Sequence, residues 1–60
     1  KQAEVYDINR DRWYLIFETT DGRYTIQENT DIDGPEGIID HYDGRTLAGC
    51  LKKLQGLLNE

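Results

Sequence analysis

Sixty residues make one domain near the lower limit for independent folding, where about 60% of the unfolded chain's surface is buried, so a deep pocket is excluded. With 37% hydrophobic and 32% charged residues the composition is that of a soluble globular chain, and the longest apolar run, Trp13 to Phe17, falls far short of the ~20 residues a membrane-spanning helix needs. Twelve acidic residues against seven basic ones give a formal charge of −5, and no Lys or Arg occurs from Tyr24 to Gly44. That stretch repels a nucleic-acid backbone and points to a basic protein surface or a cation as partner.

The sequence opens at Lys1 and contains no methionine, as expected where an initiator or a longer N-terminal segment has been removed. Cys50 is the only cysteine and has no internal disulfide partner, which favours a reducing, cytoplasmic setting. Residues 3–8, centred on the alternating Glu4-Val5-Tyr6-Asp7-Ile8, read as a first strand. Asn9-Arg10-Asp11 supplies turn chemistry, and residues 12–19 resume the extended pattern. Asp21-Gly22 provides the positive φ of a hairpin turn, so residues 23–28 read as the return strand.

Residues 29–43 read as an acidic loop around Pro35, the only proline. Within it residues 38–42 fit either a short fourth strand or a helical turn begun at Pro35, with the strand favoured. Leu47, Cys50, Leu51, Leu54, Leu57 and Leu58 recur at the spacing of one helical stripe, which predicts a helix over 44–59. Asp43 suits its N-cap, Tyr42 a staple onto Leu47, and Leu51 and Leu54 the centre of its contact with the sheet. The expected fold is therefore α+β: a three-stranded or four-stranded antiparallel β-meander packed against one C-terminal amphipathic helix.

Catalysis is disfavoured by what the sequence lacks, since there is no serine and only one histidine, His41, beside the single cysteine. Cys50 lies on the apolar stripe, where a thiol acts as a small hydrophobe rather than a nucleophile. No cofactor is expected. The sharpest local pattern runs from Asn29 to Asp40 and resembles an EF-hand calcium loop. That resemblance implies oxygen ligands from Asn29, Asp31, Asp33, the Pro35 carbonyl and Asp40. A solvated turn rich in Asp and Gly accounts for the same letters, and it is the reading preferred here.

The central strand poses a covering problem. Trp13, Leu15 and Phe17 point one way and Tyr14 and Ile16 the other, while a single helix covers one face. With the helix placed on Trp13, Leu15 and Phe17, the surplus face of Tyr14 and Ile16, joined by Tyr6 or Tyr24, becomes a contact surface for a homodimer or a protein partner. Asp31, Asp33 and Glu36 of the acidic loop extend that expected partner-binding set. Gly49 and Gly56 share a helix face flanked by Arg45 and Lys52, which offers a flat strip for a close backbone approach.

From Trp13 onward, the order strand, Asp21-Gly22 turn, strand, Asp31-Ile32-Asp33-Gly34, then Asp43-Gly44-Arg45-Thr46-Leu47 opening a helix is similar to HicB-like antitoxins, with Arg45 where that family has an acidic residue. The resemblance implies an acidic sheet domain that masks a small basic ribonuclease. The chain also looks like MbtH-type adaptor proteins in the placing of Cys50-Leu51, without their diagnostic tryptophans. Both likenesses imply non-catalytic partner binding.

Overall fold

The computed structural model describes residues 2–30 and 34–60. It shows an α+β fold in which a four-stranded antiparallel sheet of order β1-β2-β3-β4 is followed by one helix. The strands are β1 (Gln2–Asp7), β2 (Arg12–Glu18), β3 (Tyr24–Asn29) and β4 (Ile38–Gly44), and the helix is α1 (Leu47–Leu58).

Local chemistry accounts for each turn. Between β1 and β2 the Asp7 carboxylate accepts from the backbone N–H groups of Asn9 and Arg10 at 3.1 and 3.3 Å, and Asp11 closes the turn at φ 54°, a region that Asp tolerates better than most residues. Between β2 and β3 Gly22 takes φ 84° and donates to the Thr19 carbonyl at 3.1 Å, which fixes Ile16 opposite Ile26. A 3-10 turn, Pro35–Gly37, leads into β4, and Thr30 N–H donates to the Gly37 carbonyl at 2.8 Å.

The fourth strand runs two residues beyond the expected 38–42. Because Tyr24 pairs with Gly44 and Thr25 with Asp43, the chain stays extended where the helix was expected to open. Helix α1 starts at Leu47, and its N-cap is Thr46 rather than Asp43. Thr46 has an extended backbone, and its hydroxyl accepts from Gly49 N–H at 3.1 Å.

The core reverses the expected face of the sheet. Tyr14 is 1% exposed and Ile26 is fully buried, and both pack with Cys50 and Leu57 of α1, while Val5, Ile16, Tyr24, Tyr42, Leu54 and Leu58 lie around them. The helix therefore covers Tyr14 and Ile16, and Trp13, Leu15 and Phe17 lie on the uncovered face. The physical reason is β3. Ile26 and Tyr24 are apolar on one side, Thr25, Gln27 and Asn29 are polar on the other, and the register Ile16↔Ile26 carries that choice to β2.

Leu51, expected at the centre of the helix contact, is half exposed, and the centre falls on Cys50 and Leu57 with Leu54 partly buried beside them. Tyr42 is not a staple onto the exposed Leu47. Its ring lies along Gly49, where an added Cβ would stand 2.6 Å from the Tyr42 hydroxyl oxygen. Gly49 thus accommodates a side chain of its own sheet rather than a foreign backbone. At Gly56 an added Cβ would meet nothing.

Arg10 ties the first turn to the end of α1. Its Nη1 donates to Asp7 Oδ2 at 3.3 Å and to the Leu58 carbonyl at 3.1 Å, a cation placed on the negative end of the helix. Among the described residues no helix is long and apolar enough to cross a membrane.

Candidate functional site: the uncovered face of the sheet

The register aligns the uncovered face into rows across the strands. One row is Tyr6, Trp13, Asn29 and Ile38; the next is Glu4, Leu15, Gln27 and Asp40; the third is Gln2, Phe17, Thr25 and Asp43. An apolar column of Trp13, Leu15 and Phe17 runs down β2, with β1 and β4 contributing carboxylates at its borders. Trp13 is 47% exposed and Ile38 46%, whereas Leu15 and Phe17 are half-buried between their neighbours.

Tyr6 stacks on Trp13 with ring centroids 4.4 Å apart and a tilt of 31°. Its hydroxyl donates to Asp11 Oδ1 at 2.7 Å, and this bond, with the negative charges of Asp11 and Asp7, raises the Tyr6 pKa above its ordinary value. The aromatic pair is thereby anchored to the Asp11 carboxylate at the end of the first hairpin.

Charge is distributed unequally between the faces. Arg10 is held by Asp7, and Arg12 reaches Glu28 at 3.9 Å on the helix side. Arg23, at the far end of the sheet, is shared between Asp21 at 3.1 Å and Asp43 at 3.0 Å. Among the described residues Glu4 and Asp40 have no cationic partner, and Arg45, Lys52 and Lys53 on and beside α1 have no anionic one. The uncovered face is acidic and the helix is basic.

The residues expected to bind a partner are distributed differently in the structure. Tyr14 is core, Ile16 lines a groove beneath the helix, and Tyr6 alone of the sheet residues lies on the uncovered face. Glu36 is exposed in the 3-10 turn, and Asp31 and Asp33 lie outside the described residues. Of the residues that carry the EF-hand resemblance, Asn29 pairs with Ile38 and Asp40 with Gln27 in the β3–β4 ladder, while Asp31 and Asp33 lie outside the described residues. Among the described residues no three metal-ligating side chains converge.

Two grooves lie on the helix side. One, of about 360 Å³, opens beside Leu47 of α1 and is lined by Ala3, Ile16 and Tyr24 together with Gln2, Phe17 and Glu18 at that end of the sheet. The other, of about 520 Å³, follows Tyr42, Gly49, Lys52 and Gly56. Sequence reasoning also missed a polar cluster beyond the end of the core. The nearly buried Glu28 meets His41 Nε2 at 2.8 Å across β3 and β4, and the His41 ring meets Tyr14 edge-on at 5.8 Å. The carboxylates nearest His41 in sequence, Asp40 and Asp43, are not its partners, and Asp43 pairs with Arg23 instead.

Comparison of the chain with protein families, curated proteins and solved structures found no match. The functional reading therefore rests on the chemistry of the chain's own surface.

Proposed function

We propose that the chain is a small non-enzymatic binding or regulatory module that engages a basic protein partner through the uncovered face of its sheet, in the cytoplasm. One observation carries this reading: the column of Trp13, Leu15 and Phe17 lies uncovered between the carboxylates of Glu4 and Asp40, which no cation in the described chain neutralises. An apolar strip with an unbalanced charged border suits a partner that brings an apolar ridge flanked by Lys or Arg. A second copy on the same face would set Glu4 and Asp40 against their own kind, so a basic partner fits better than a face-to-face homodimer. A small basic ribonuclease, the partner implied by the HicB-like resemblance, has the required chemistry.

The test places a cation in the middle of the column. Leu15→Lys should leave the circular dichroism spectrum unchanged, because Leu15 points away from the buried Tyr14 and Ile26. Proteins retained by the parent chain from native lysate are purified and their affinities compared, with ribonuclease inhibition assayed where the partner is a nuclease. The expected result is loss of binding in Leu15→Lys, together with a parental affinity that falls as salt is raised. A folded Leu15→Lys that binds the purified partner as tightly as the parent overturns the proposal.

A further inference from the structure

The corner of the uncovered face formed by Tyr6, Trp13 and Asp11 has a more specific chemistry than the rest. Trp13 presents nearly half its surface to solvent, and Tyr6 is fixed against it at 4.4 Å. The Tyr6 hydroxyl is in turn fixed by Asp11 Oδ1, and among the described residues no donor engages the second oxygen of that carboxylate. Asp11 is exposed and held at φ 54° by the turn. Both neighbouring arginines are drawn to the opposite side of the sheet, Arg10 to Asp7 and the Leu58 carbonyl, Arg12 to Glu28.

The corner thus combines an aromatic face and a carboxylate that no cation among the described residues reaches. A planar guanidinium satisfies both features at once, stacking on an indole ring while its N–H groups reach a carboxylate. We infer that this corner is the seat for an arginine side chain of the partner, which docks over Trp13 and donates to Asp11. The inference rests on the reading of the uncovered face as the contact surface, and specifies what the partner brings to it.

The chain's single tryptophan makes the test direct. The probes are a synthetic peptide of leucine and glutamine with one central arginine, and the same peptide with citrulline, which keeps the shape and loses the charge. Binding is followed by Trp13 emission and by calorimetry. The expected result is that the arginine peptide binds at least about fivefold more tightly than the citrulline peptide. That preference should disappear in Asp11→Asn, which tolerates the same backbone and still accepts from Tyr6, and in Trp13→Leu read by calorimetry. Leu15→Lys should weaken both peptides. Equal affinities for the two peptides, both lost in Leu15→Lys, overturn the arginine seat and leave the contact face standing. Binding of both peptides unaffected by Leu15→Lys overturns the contact face itself. Absence of binding by the arginine peptide overturns the seat.

Discussion

The two faces of β2 have nearly the same apolar character in sequence and opposite fates in the fold. Tyr14 and Ile16 lie under α1, with Tyr14 at 1% exposure, while Trp13, one residue away, is 47% exposed on the other side. Hydrophobicity alone does not decide which face is core. The neighbouring strands decide it: β3 sets Thr25, Gln27 and Asn29 beside the Trp13 column, β1 sets Gln2 and Glu4 there, and the helix side receives Val5, Tyr24 and Ile26. The larger side chains are left outside because covering them would bury polar residues of both neighbours without partners.

That contrast also separates what was legible from what was not. The hairpin at Asp21-Gly22 and the helical stripe ending at Leu58 follow from local rules, and both are present. The helix start at Leu47 was obscured because Asp43 and Gly44 carry the letters of a helix N-terminus while their pairing with Thr25 and Tyr24 keeps them in β4. Pairing across strands is not visible in local spacing. The Trp13 face was legible in principle from the polar residues of β3, once the turn had set the register. The link between Glu28 and His41 was not, since it depends on the irregular register of β4 after Ile26.

The comparison of faces is broken most severely by truncation. Ile26→Ala removes a fully buried side chain and should cost about 2–5 kcal/mol, whereas Leu15→Ala on the uncovered face should cost much less, as urea unfolding of the two variants will show. Comparable losses would mean that Leu15 is also core.

A smaller effect is expected at Cys50. Replacing the buried thiol by a hydroxyl, Cys50→Ser, should cost about 1–3 kcal/mol, because a hydroxyl there lacks a partner among the apolar side chains around it. Burial raises the Cys50 pKa, disfavouring the thiolate. The folded value then exceeds the unfolded one, so the unfolded state loses its proton first as the pH rises. The contribution is intact below the ordinary thiol range and is lost as the pH climbs through the folded value. Unfolding free energies of the parent should fall more steeply in alkali than those of Cys50→Ala.

The smallest effects sharpen the account of the helix. Gly56→Ala meets no neighbour and should stabilise by about 0.5–1 kcal/mol, the gain in helix propensity. Gly49→Ala sets its new methyl against the Tyr42 hydroxyl and the Thr46 cap and should forfeit most of that gain. Equal stabilisation by both, in parallel thermal melts, would place Tyr42 elsewhere.

The central claim, that the Trp13 face is open in the free chain and closed by a partner, is tested most directly by acrylamide quenching of the single tryptophan. The account predicts efficient quenching in the free chain, as suits a side chain 47% exposed, and marked protection once the purified partner is bound. A tryptophan already shielded in the free chain, or equally quenched with and without partner, would contradict it.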